Sequence, residues 1–226
     1  MVKKTLALTS IMTIGLVGAV SAEPIADQSD EEGFISLFNG VDLTGWTGDT
    51  MGYRAENGLL AAKPLGNLYT EAEYGDFIFR FEFKLTPGAN NGIGIRVPMK
   101  GRASRDGMEI QILDDSAEKF AKVKPYQRHG SVYGIVPAKT GYLKPVGEWN
   151  REEIRVEGMH VRVELNRTVI VDADLTPYRE GKPTPDGKRH PGLQRDRGHI
   201  SLAGHTTQLW FRNLRVKPLE PASSEQ

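Results

Sequence analysis

The stretch from Phe77 to Leu85 reads FIFRFEFKL, in which Phe77, Phe79, Phe81, Phe83 and Leu85 alternate with Ile78, Arg80, Glu82 and Lys84. Successive side chains of a β-strand point to opposite faces, so a period of two buries every second residue and turns the others toward water. Four phenylalanines on one face need a broad apolar surface to cover them. Two later runs repeat the pattern. Ile93, Ile95 and Val97 are expected to point inward, with Arg96 outward beside Gly92 and Gly94. Met108, Ile110 and Ile112 are expected inward, with Glu109 and Gln111 outward. Were these strands neighbours, Arg80, Glu82, Arg96, Glu109 and Gln111 would share one polar sheet face, the expected working surface.

The rest of the chain reads as more short strands separated by turn signals. Asn57-Gly58 and Asn166-Arg167 mark tight hairpins. Ile154 and Val156, then Val161, Val163 and Leu165, then Val169 and Val171 give three strands. His199 to Ala203 and Leu209 to Val216 give two closing ones, the last free to pair near the opening strand. Ser116 to Gln127 offers at most a short helix, with Phe120 and Val123 on one side. Thr176 to Arg197 is a long polar connection rich in Pro, Gly, Lys and Arg, and a loop of that length is either functional or mobile. With no long helix and no internal repeat, the chain is expected to be an all-β sandwich.

The chain has 226 residues and no cysteine. Lys3 and Lys4, an apolar stretch from Leu6 to Val20, and the small residues Val20-Ser21-Ala22 read as a secretory signal spanning residues 1–22. Residues 23–32 read as an acidic leader, 33–219 as one domain and 220–226 as a polar tail. The expected location is therefore exported, periplasmic or secreted, with no membrane attachment after cleavage. Removing Lys3 and Lys4 from the 29 basic residues leaves 27 against 29 acidic ones, a formal charge of −2. That balance argues against a nucleic-acid partner. Without cysteine there is no thiol chemistry and no thiolate metal site.

Among single residues, Glu109 is the leading candidate, since a carboxylate on a sheet face can act as a general base. The plainer reading is a solvated strand residue paired with Arg96 or Arg80. Of the five histidines, His129, His199 and His205 fall at strand ends or turns, with no HExxH and no close pair at ligand spacing. Phosphate-loop and nucleophile-elbow patterns are absent. Tyr126, Tyr133, Tyr142 and Trp149 sit in connections where they could stack on sugar rings or simply cover a rim. On these residues alone, an enzyme and a binding module both stand.

Several blocks then carry a resemblance. FISLFNGVDLTGW from Phe34, GDFIFRFEFKLTPGANNGIGIR from Gly75, GMEIQILDD from Gly107, GSVYGIVPA from Gly130, GEWN from Gly147 and LWFRNLRVKPL from Leu209 occur in the order seen in the 3-keto-disaccharide hydrolase domain family. The similarity runs from Gly33 to Leu219. It implies a concanavalin A-like jelly-roll sandwich and action on a small carbohydrate, a glycoside oxidised at carbon 3. A ketone there acidifies the carbon 2 hydrogen, so a base can form an enolate that expels the carbon 1 substituent, and water then adds. The resemblance implies catalytic roles for Glu109 as base, Arg96 as enolate holder and His205 as acid or ligand. It implies substrate contacts for Gln111 and Asp114, to which His129, Tyr133, Trp149 and His199 are added as candidates. No cofactor is fixed by these residues, and a divalent metal held by His and carboxylate oxygens stays open, since it would also stabilise an enolate. The segment GHISLAGHT departs from the family pattern: Ala203, Gly204 and Thr206 replace the usual Gln, Asp and Gly around His205. A non-catalytic, lectin-like module is the alternative.

Overall fold

A computed structural model describes residues 32–62, 66–205 and 207–220. The expected signal, nearly all of the leader and the end of the tail lie outside the described residues.

The described residues form thirteen strands: β1 (Ile35–Ser36), β2 (Trp46–Gly48), β3 (Tyr53–Glu56), β4 (Leu59–Ala62), β5 (Asn67–Tyr74), β6 (Phe77–Leu85), β7 (Asn90–Val97), β8 (Met108–Leu113), β9 (Trp149–Glu157), β10 (His160–Leu165), β11 (Thr168–Asp174), β12 (Gly198–Gly204) and β13 (Leu209–Pro218). Two single-turn helices, α1 (Ala103–Asp106) and α2 (Thr176–Arg179), lie in loops. All pairings are antiparallel. The larger sheet runs β11-β10-β9-β6-β13-β4-β3, with β1 added alongside β13, and the smaller runs β2-β5-β12-β7-β8. The result is a jelly-roll sandwich, as the alternation pattern and the resemblance led us to expect.

The phenylalanine strand is the centre of the larger sheet. Phe77, Phe79, Phe81 and Phe83 are all fully buried and face Ile93, Ile95, Met108, Ile110 and Ile112 of the smaller sheet. Phe81 meets the Phe211 ring edge-on, with centroids 5.9 Å apart. Each such side chain contributes about 1.5–3 kcal/mol through burial. The hairpin signals hold: Asn57 (φ 53°) joins β3 to β4, and Asn166 and Arg167 (φ 50° and 71°) join β10 to β11. These left-handed pairs match the twist of the flanking strands. Residues 116–127 form two short 3-10 turns, Glu118–Phe120 and Pro125–Gln127, in place of a helix.

The expected shared polar face does not form. Arg80 and Glu82 belong to β6 in the larger sheet, where they pair with Glu153 and Arg212 on its outer surface. Glu109 and Gln111 belong to β8 in the smaller sheet. The two groups face opposite sides of the sandwich.

Candidate active site

Three strands of the smaller sheet set out the site. On β8, Glu109, Gln111 and Leu113 alternate with the core residues Met108, Ile110 and Ile112 and so point away from the core. The neighbouring strand β7 places Gly94 opposite Glu109 and Gly92 opposite Gln111. Beyond it, β12 places Ser201 opposite Gly94 and Ala203 opposite Gly92. Two glycines therefore form a low floor between two walls. The carboxylate of Glu109 leans over this floor: a Cβ at position 92 would collide with its Oε1 and lie 2.6 Å from its Cδ. Ser201 is buried on the other side of Gly94, where its hydroxyl, Val97 and Ala103 all crowd the space a Cβ at position 94 would take.

The loops close the remaining sides. The segment after the Pro125–Gln127 turn runs beside β8 almost as an added strand. Gly130 N–H donates to the Gln111 carbonyl (2.8 Å), Gln111 N–H to Ser131 (3.0 Å) and Tyr133 N–H to Glu109 (2.8 Å). This ladder brings Tyr133 and Gln127 to the rim, where Gln127 Nε2 donates to the Tyr133 hydroxyl (2.8 Å). Gln111 Nε2 in turn donates to Asn90 Oδ1 (3.3 Å). Together with Ser104, Leu113, Phe120 and His205 these residues enclose a hollow of ≈ 230 Å³.

Glu109 is its chemical centre. The side chain is 4% exposed, and Oε1 has no hydrogen-bond partner among the described residues. Burial pushes its carboxyl up to about 7, opposed only by a hydrogen bond from Ser104. A group of that pKa is divided between carboxylate and acid near neutrality and can take or return a proton. His205 also lines the hollow and is an exposed residue whose ring is partly covered by protein. That partial burial holds its imidazole below the ordinary value.

Of the other expected site residues, Gln111 and Tyr133 line this hollow and the rest lie elsewhere. Arg96 is the clearest correction. Its φ of 53° marks a bulge, where β7 carries one residue more than β12 between Gly94 and Val97. The extra residue reverses the alternation. Val97 turns outward to join Tyr69, Ala103 and Ala203, and Arg96 turns to the β9–β10 turn. There it donates to the Gly158 carbonyl and to Met159 Sδ (3.2 Å). Asp114 ties two loops, accepting from Gly88 N–H (2.7 Å) and from Ser116 N–H (3.0 Å) and hydroxyl (2.5 Å). His129 is inside the sandwich, 5.2 Å from the Phe83 ring, with Nε2 3.1 Å from Glu152 of β9. Trp149 lies on the outer face of the larger sheet, under Arg212 (4.1 Å) and Lys84 (5.0 Å). His199 Nδ1 donates to the Thr70 carbonyl (2.8 Å), and its ring meets Tyr69 edge-on.

Asn90, Ser104 and Gln127 were missed. Asn90 opens β7, Ser104 lies in the single-turn α1 and Gln127 ends a 3-10 turn, and no periodicity marked these positions. The donor set does not suit a divalent metal. Among the described residues no three His, Asp or Glu side chains are grouped to hold one, and the hollow offers one carboxylate and one imidazole.

Comparison with known proteins agrees with this architecture. A protein of Bacteroides thetaiotaomicron named 3-keto-disaccharide hydrolase is 26% identical over 84% of this chain and 80% of its own length. A crystal structure of a candidate glycosyl hydrolase from Parabacteroides distasonis superimposes with a TM-score of 0.73 at 30% identity, covering 82% of this chain and 99% of that one. The carbohydrate-binding module CBM66 of Bacillus subtilis shares the fold (TM-score 0.51, 14% identity, covering 77% of this chain and 96% of its own). The model of the 3-keto-alpha-glucoside-1,2-lyase-like domain matches residues 33–217, and the chain belongs to that family.

Proposed function

We propose that the protein cleaves the glycosidic bond of 3-keto-glycosides, with Glu109 as the base. The observation that carries this reading is the buried carboxylate with an unpartnered oxygen and a pKa near 7. A solvated strand glutamate, or one locked in an ion pair, would not look like this. Glu109 takes the proton from carbon 2 of the keto sugar. The electron pair moves into an enolate and expels the carbon 1 oxygen, and water adds to the resulting enone. Tyr133 and Gln111 are the groups that can hold the ketone oxygen, a role for which the family resemblance had suggested Arg96. Tyr133 already accepts from Gln127, which leaves its own proton to donate. Glu109, having taken the carbon 2 proton, can return it to the departing oxygen, and the N–H of a neutral His205 can hydrogen-bond that oxygen. The hollow is small enough to favour a single sugar ring, with the second group near the mouth.

The relatives' names support glycoside chemistry, and the start of the chain supports an exported, periplasmic or secreted location. N-terminal sequencing of the protein recovered from cell fractions tests the latter, with Glu23 as the expected first residue. For the reaction, purified protein is given a 3-keto-glucoside and its unoxidised parent. Release of the aglycone from the first alone, abolished in Glu109→Gln, is the expected result. Binding of plain sugars by calorimetry with no turnover of any keto sugar would favour a non-catalytic carbohydrate module instead.

A further inference from the structure

The long basic connection between β11 and β12 is ordered around its own buried pair. Asp186 Oδ1 lies 3.1 Å from His190 Nε2 and accepts from Thr184 Oγ1 (2.9 Å) and Lys188 N–H (3.0 Å). The Asp186 and His190 side chains are 6% and 2% exposed. The loop is fixed to the segments that carry the active site. A Cβ on Gly192 would lie 2.8 Å from Gly107 Cα, two residues before Glu109. One on Gly134, next to Tyr133, would lie 2.8 Å from Asp186 Cγ and 2.9 Å from His190 Cε1.

Within this loop is a second hollow of ≈ 320 Å³. Arg179, Lys182, Lys188 and Arg189 line it, and no Asp or Glu among the described residues does. Arg179 is paired with Asp196 (2.7 Å), and Lys182 lies over the Tyr178 ring. Lys188 and Arg189 have no ion-pair partner among the described residues. His190 also lines the hollow, and its Nδ1, buried, has no hydrogen-bond partner among them. Four cations around one concavity repel one another, and an anion placed among them removes that repulsion.

We propose that this hollow binds the anionic group, a carboxylate or a sulfate ester, of an acidic saccharide. The saccharide rests on the glycoside reading above; the preference for an anion does not.

The test is titration of the whole protein, at low ionic strength, with glucuronate, glucose 6-sulfate, inorganic sulfate and glucose. Calorimetry and the amide shifts of Gly181 and Gly187 report binding. Saturable binding of one or both acidic sugars, with no effect of glucose, is expected. Glucuronate alone would identify the group as a carboxylate, and the sulfate ester alone as a sulfate. Lys188→Ala combined with Arg189→Ala is expected to weaken binding about fivefold or more, both positions being exposed and the two contributions individually small. Cleavage of a neutral 3-keto-glucoside should be unchanged in that variant. Binding needs no turnover, so a protein inactive on keto sugars would still pass or fail this test. Failure of both acidic sugars to bind, or equal affinity in the double variant, overturns the proposal. Inorganic sulfate binding as tightly as either acidic sugar overturns its saccharide part.

Discussion

Gly92 lies directly beneath the carboxylate of Glu109, so close that a single methyl at position 92 would occupy the space of Oε1. The two residues are on adjacent strands, and the acid keeps its position over the sheet because its neighbour has no side chain. Gly92→Ala should therefore displace the carboxylate. A base moved by about an ångström loses roughly a hundredfold in kcat, and overpacking costs about 1–3 kcal/mol of stability. Steady-state kinetics on a 3-keto-glucoside, beside thermal melts, checks both. An alanine variant with full kcat would show that the carboxylate position is not critical.

Glu109 also links activity to stability in opposite directions. Its carboxyl titrates near 7 when folded and near its ordinary 4.5 when unfolded. Between those values the folded state holds a proton that the unfolded state has lost, so stability falls as pH rises from 4.5 to 7 and stays lowered above. The full difference is on the order of 3 kcal/mol. Glu109→Gln should melt higher than the parent at about pH 8 and alike at about pH 4. Its kcat should fall by about 10²–10⁴-fold. In the parent, kcat/KM should rise with pH through about 7 as the base ionises. A pH–rate profile and denaturant titrations at both pH values read these outcomes.

Arg96 should behave as a structural residue. It is 1% exposed and holds the β9–β10 turn through Gly158 and Met159. Arg96→Ala is expected to lose about 2–4 kcal/mol, by leaving a cavity and an unpaired carbonyl. The kcat of the folded protein should stay within about twofold. A large fall in kcat at unchanged melting temperature would return Arg96 to the site.

His129 Nε2 and Glu152 Oε2 approach to 3.1 Å across the core, between the loop bearing Tyr133 and the opposite sheet. Their side chains are 2% and 0% exposed. Glu152→Ala should cost about 3–5 kcal/mol, because it strands a buried polar partner, whereas His129→Leu with Glu152→Met should recover most of that loss. A double-mutant cycle by denaturant unfolding measures the coupling. Additive single effects would show that the two side chains do not interact.

Periodicity was enough to read the sandwich and the outward face of β8, because both follow from alternation over regular strands. It failed at Arg96, where one added residue in β7 exchanged inside for outside, and no local signal in NNGIGIRV announces that bulge. It did not mark His129 and Glu152 as partners, because a buried ionisable pair looks, in sequence, like two surface residues. The assignment of Glu109 to a site rested on its outward place on β8 and mainly on resemblance; its burial, and the glycine beneath it, became visible only when β7 and β8 were side by side. Ser104 and Gln127 reach the hollow through loop paths that no repeat describes.

The final strand has a consequence for how the chain comes to be folded at all. β13 lies in the middle of the larger sheet, between β6 and β4, and also pairs with β1. Until residues 209–218 have been synthesised, β11-β10-β9-β6 and β4-β3 have no ladder joining them, and the phenylalanine face has an open seam beside it. β13, the last strand among the described residues, is thus the keystone. Folding must wait for nearly the whole domain, a high-contact-order route that is intrinsically slow, and truncation before Leu209 would leave two half-sheets with no ladder between them.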